Sequence, residues 1–95
     1  MLFVIHGFDR ADAPAKREKH FPAHKAFLAE AGKWGVKIVM SGPLTKDDGA
    51  TPIGSHFVIE APDRAAVEAF HRADPFFAAQ VWEKTEITAF LKRIG

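Results

Sequence analysis

Two side chains of a type that moves protons sit in this sequence where an apolar residue would pack more simply. His24 falls inside the stripe Phe21, His24, Phe27, Leu28 and Ala31, which recurs at helical spacing. A buried imidazole needs partners for its ring nitrogens, so a helix that carries one on its packing face holds it at a cost. Asp74 closes a second stripe, Ala66, Val67, Phe70 and His71, directly before Pro75. A carboxylate there meets the negative end of the helix dipole, so local electrostatics does not explain its placement. Were the two helices side by side on one sheet face, His24 and Asp74 would share a cleft. A carboxylate that orients an imidazole and balances its charge makes a general acid–base pair. The alternative is structural: a core histidine satisfied by a backbone carbonyl or a threonine, and an aspartate that caps the turn Pro75 to Ala78. On that alternative a leucine at position 24 would be neutral or stabilising.

Other candidates are weaker. Ser41, Gly42, Pro43 and Ser55 bracket the loop between two expected strands, and either serine can donate a hydrogen bond to a small ligand. No G-x-S-x-G elbow accompanies them. His20 and His24 have metal-ligand spacing, but Pro22 lies between them and the glutamate of an H-E-x-x-H site is missing. His6, His56 and His71 are scattered, so no metal site is expected. Neither a dinucleotide glycine pattern nor a phosphate loop is present, and no cofactor is expected.

Composition narrows the classes further. The 95 residues suit one domain spanning 1–95, with 47% apolar and 26% charged residues. There is no cysteine, which excludes disulfides, thiolate metal sites and cysteine nucleophiles. The net charge of +1 argues against a nucleic-acid partner, since the cluster Lys16, Arg17, Lys19 and Lys25 is interrupted by Glu18 and preceded by Asp9 and Asp12. That cluster reads as a solvated helix face. The apolar start, Met1 to Ile5, is too short for a signal peptide and no run reaches membrane-spanning length. A cytoplasmic protein without a membrane partner is expected.

The elements that must position these residues follow from periodicity and breakers. Met1 to Gly7 reads as a central strand buried on both faces. Asp12 can cap a helix with Pro14 in its first turn, and Pro22 is expected to kink or divide that helix near His20. Gly32 and Gly35 end it. Val36 to Ser41 is the second strand, with Val36, Ile38 and Met40 on one face, and Gly42-Pro43 stops it. Thr45 to Gly54 is a polar loop turning at Asp48-Gly49. Ser55 to Ala61 is the third strand, Asp63 caps the second helix, Pro75 ends it, and Trp82 to Leu91 is the last strand.

The order β-α-β-β-α-β predicts an α+β, ferredoxin-like fold: an antiparallel sheet with both helices on one face. Its other face carries Val4, Val58 and Phe90 and has nothing to cover it. A homodimer through the sheet faces is therefore expected.

The same residues make the chain resemble the YCII-related family. The matching segments are Met1 to Ile5, Arg17 with Pro22-Ala-His24, Ser41-Gly-Pro43, Ala73-Asp-Pro-Phe76 and the closing strand around Ile87 to Phe90. The resemblance implies a dimeric α+β barrel with a cleft near the helices of each subunit. The family's proposed active-site histidine falls on His24 and its paired aspartate on Asp74. Some members resemble lyase-like dehydrochlorinases of aromatic catabolism. The wider group contains isomerases and haem or quinol monooxygenases. Phe76 and Phe77 stand where family members commonly carry a tyrosine. The function so implied is a cofactor-independent small-molecule enzyme of the lyase or isomerase type, using a His24–Asp74 acid–base pair. The alternatives are a non-catalytic small-ligand or protein-interaction module, and a haem or quinol monooxygenase-like protein.

Overall fold

In the computed structural model, which describes residues 1–95, strands and helices follow in the order β1 (Leu2–Asp9), α1 (Ala13–Ala29), β2 (Lys37–Thr45), β3 (Pro52–Glu60), α2 (Arg64–Ala73), α3 (Pro75–Ala78) and β4 (Trp82–Phe90). A 3-10 turn, Ala31–Trp34, follows α1. The four strands form one sheet in the order β2-β3-β1-β4, with every neighbouring pair antiparallel. This is the α+β, ferredoxin-like arrangement that the sequence order predicts.

One sheet face is the floor of the core. Phe3 and Ile5 from β1 and Phe57 and Ile59 from β3 point into it, and Val67 and Phe70 from α2 and Phe76 from α3 cover them. Phe27 of α1 stacks on Phe70 of α2 with centroids 5.0 Å apart, which ties the two long helices together over the sheet. Asp63 caps α2 as expected, accepting the Ala66 N–H at 2.9 Å. Asp12 stands at the N-cap of α1 but makes no capping bond and pairs instead with Lys16 at 3.1 Å.

Four local expectations are corrected. Pro22 does not divide α1 into two pieces near His20, since Ala13–Ala29 is one 17-residue helix. The proline sits on the exposed side, where the carbonyl deprived of its partner is free to turn to water. Gly42-Pro43 does not stop β2, because β2 is an edge strand and a proline there can turn its missing donor outward. Pairing continues to Thr45↔Pro52, so the loop shortens to Lys46 through Thr51, closed by Asp48 Oδ1 accepting the Ala50 and Thr51 N–H groups, each at 2.9 Å. Finally, Ile38 and Met40 do not share a face. The register slips between them, with Ile38 opposite Ile59 and Met40 opposite Val58, so the extra residue sends Ile38 to the core and Met40 to the far side.

That far side carries Leu2, Val4, Val58, Met40 and Phe90 with no helix over it, and leaves Met40 61% and Phe90 47% exposed. β1 is accordingly sealed on one face and half-buried on the other. No helix is long and apolar enough to cross a membrane.

Candidate functional site

Part of the α1 stripe expected to pack in the core instead walls a cavity, while Phe27 and Ala31 of the same stripe do join the core. Arg17, Phe21, His24 and Leu28 line one side at successive helical turns, while Ser41, Pro43, Ser55 and Phe57 line the sheet side. Phe21 is 53% exposed, so it is a rim residue and not a core one. The cavity holds about 560 Å³, a size that suits a small organic ligand.

His24 and Asp74 meet here. Asp74 is not the last residue of the α2 stripe but the joint between α2 and α3, in extended backbone. Its Oδ1 accepts the Phe76 N–H at 2.9 Å, which caps α3, and lies 2.7 Å from His24 Nδ1. The cap and the cleft partner, alternatives at the level of sequence, are therefore one and the same atom. A carboxylate can only accept, so Nδ1 is the protonated nitrogen and a neutral His24 carries its lone pair on Nε2. Nε2 makes no hydrogen bond within the protein, and His24 is one of the residues lining the cavity. The ring is also held by stacking: Phe76 lies parallel to it, 3.8 Å away at 1°, and Phe57 meets it edge-on at 6.3 Å. Asp74 is 1% exposed, and its Oδ2 is buried with no partner. Phe76 thus offers His24 a ring face and no hydroxyl, while Phe77 turns outward against His71.

A second cluster lies one turn pair earlier on α1 and was read from the sequence as solvated charge. Arg17 is only 14% exposed. It grips Asp9 with Nε and Nη2, both at 2.8 Å, and Nη2 also reaches the Gly54 carbonyl at 2.8 Å and Ser55 Oγ at 2.9 Å. Arg17 stands 5.5 Å from the centre of the Phe76 ring, so both clusters share that residue. Ser55, 5% exposed, also receives the Trp82 indole N–H at 3.0 Å. Gly7, paired with Ser55 across the strands, makes this possible: a Cβ there would stand 2.6 Å from the indole. The seven-residue step from Arg17 to His24 was the available signal, since it returns to the same helix face after two turns.

The remaining candidates separate. Ser41, Gly42 and Pro43 border the exposed side of the cavity, and Ser41 makes no side-chain hydrogen bond within the chain. His71 lies behind Trp82, stacked on it at 5.2 Å, with Nε2 buried and unpartnered. Burial holds its pKa below the ordinary imidazole value, against the opposing pull of Asp74. His6 and His56 face each other on the uncovered sheet side, 6.2 Å apart. No three His, Asp or Glu side chains gather as a metal site.

Comparison with known proteins adds four findings. The YCII-related domain pattern matches residues 1–91. Protein YciI from Escherichia coli O6:H1 is 34% identical over 97 aligned residues, covering 97% of this chain and 98% of its own. The solved 5-chloro-2-hydroxyhydroquinone dehydrochlorinase TftG from Burkholderia phenoliruptrix, in complex with 2,5-dihydroxybenzoquinone, is similar at a TM-score of 0.82 and 29% identity, over 96% of this chain and 94% of that one. An antibiotic biosynthesis monooxygenase shares the fold alone, at a TM-score of 0.57 and 19% identity over 100% of both chains.

Proposed function

The chain belongs to the YCII-related domain family, and from that premise we propose that it is a cofactor-independent enzyme that moves a proton on a small oxygenated ring compound, with His24 as acid and base and Asp74 as its orienting partner. The observation that carries this reading is the 2.7 Å contact between His24 Nδ1 and Asp74 Oδ1, which leaves Nε2 free on a residue that lines a cavity of about 560 Å³. Neutral Nε2 takes a proton from a ring hydroxyl, and the imidazolium that forms is balanced by the Asp74 carboxylate. The same proton is then delivered to a ring carbon. If that carbon bears no leaving group, the outcome is isomerisation. If it bears a halide, the halide departs with its bonding pair, a second hydroxyl proton is lost, and a quinone remains. The net loss is then one hydrogen halide, and no external oxidant is consumed.

Phe57, Phe76, Phe21 and Leu28 supply apolar surface for a flat ring. The similarity to a dehydrochlorinase solved with a hydroxyquinone supports hydroxylated and halogenated rings as the first substrates to try. The test is a turnover screen on halogenated hydroquinones with wild type, H24Q and D74N. General acid–base catalysis contributes about 10²–10⁴-fold, so H24Q should lose at least that much. Unchanged turnover in H24Q would end the proposal. The uncovered apolar face of the sheet supports a homodimer formed through that face, which would bury Val4, Val58, Met40 and Phe90.

A further inference from the structure

Ser55 receives two hydrogen bonds from groups that can only donate. The Arg17 guanidinium has no acceptor, and neither has the Trp82 indole N–H. They approach Ser55 Oγ at 2.9 and 3.0 Å and occupy both of its lone pairs, with Arg17 Nη2 dividing its two hydrogens among Asp9 Oδ1, the Gly54 carbonyl and Ser55 Oγ. A hydroxyl so placed has one function left, its own O–H, and no group of the protein accepts it. Ser55 borders the cavity, so that hydrogen remains available to an acceptor held there. One of the two donors is a cation, which draws electron density from Oγ and strengthens the remaining O–H as a donor. Arg17 is itself fixed by its two-pronged contact with Asp9, and Trp82 by the space above Gly7, so the arrangement is built before any ligand arrives.

We infer that Ser55 is a hydrogen-bond donor locked in that role by Arg17 and Trp82, and that it selects ligands presenting a carbonyl or quinone oxygen over ligands presenting a donor. Arg17 and Trp82 are positioning residues acting through Ser55. The inference rests on the cavity being a small-molecule site, but it does not need His24 to be catalytic. It deepens the reading above: an oxygen held by Ser55 would keep the ring in place and accept charge as His24 removes a proton.

Three planar bicyclic probes of nearly equal size separate the possibilities: 1-indanone accepts a hydrogen bond, indane does neither, and indole N–H donates. Affinities can be followed by ligand-observed NMR with the full chain, up to about 10 mM probe. S55A removes the hydroxyl, and S55C keeps a side chain in place while exchanging a strong donor for a weak one. Each should weaken 1-indanone by about 3- to 10-fold, the usual worth of one such bond, and leave indane unchanged. W82F frees one lone pair on Ser55, so indole should tighten relative to indane by about threefold. W82F also keeps the test alive should the Ser55 variants fail to fold. An unchanged 1-indanone-to-indane ratio in S55A and S55C overturns the inference. So does an unchanged indole-to-indane ratio in W82F, or a wild-type chain that binds none of the probes. The ratio should persist in H24Q. If it does while H24Q turns over normally, the acid–base proposal fails and the Ser55 inference stands. If H24Q is inactive while S55A and S55C bind 1-indanone like wild type, the reverse holds.

Discussion

Replacing His24 by leucine isolates what the buried carboxylate needs. Asp74 is 1% exposed, its Oδ2 has no partner, and its Oδ1 has only His24 and the Phe76 N–H. H24L leaves that carboxylate with a single backbone donor. Breaking a buried charged hydrogen bond from one side costs about 2–4 kcal/mol, and loss of the stack on Phe76 adds about 0.5 kcal/mol. The leucine returns about 1 kcal/mol through apolar burial, so a net loss of about 1.5–3.5 kcal/mol is expected. In a domain this small, that lowers Tm by roughly 6–28 °C. The double variant H24L/D74N is the informative one. An asparagine at 74 can still cap α3 through its amide oxygen, but it carries no charge to strand. It should therefore recover about 1–2 kcal/mol of what H24L loses, even though D74N alone is neutral or destabilising in wild type. Urea melts of the four proteins at pH 7, with their slopes compared, supply the cycle. H24L within about 0.5 kcal/mol of wild type, or a double variant no more stable than H24L, would refute the reasoning.

The other predictions are briefer. Because the His71 pKa lies below its ordinary value, the unfolded chain takes up that proton first as the pH falls. His71 therefore leaves stability intact above about pH 6.5 and erodes it as the pH drops below that toward its folded pKa. H71F keeps the stack on Trp82 and should lose less stability than wild type between pH 7 and pH 5; equal losses would count against the assignment. G7A places a methyl against the Trp82 indole and should cost about 1–3 kcal/mol by overpacking, seen as an earlier urea midpoint. Light scattering at micromolar concentration should give about twice the 10.5 kDa chain mass, and M40D or V58D should reduce it toward one chain. A monomeric, soluble wild type would rule out the sheet-to-sheet dimer.

Much of the architecture was legible in the residues themselves. Strand alternation in Leu2 through Gly7 and Ser55 through Ala61 and the Asp63 cap depend on local periods and backbone preferences, which act within a few residues, whereas α1 ends at Ala29 before the glycines and Gly35 closes the 3-10 turn that follows. The breakers misled where the outcome depended on surroundings. A proline interrupts a helix or strand only if the hydrogen bond it forfeits was needed, and the solvent side of α1 and the free edge of β2 needed none at Pro22 and Pro43.

The site divides along the same line. That His24 and Asp74 were out of place could be read from the sequence, because each is a polar group on an apolar stripe and that anomaly is local. What they do to each other could not, since residues 50 apart meet only when both helices lie on one sheet face. Arg17 and Ser55 show the stronger form of this limit. In the sequence, one is a charge among other charges and the other an ordinary strand serine. Their roles arise from counting donors and acceptors around a single oxygen, to which α1, β3 and β4 each contribute a group. The chain's pattern thus determines which faces are buried, while only tertiary packing determines which polar atoms share a lone pair, because a hydrogen bond depends on position to a few tenths of an ångström.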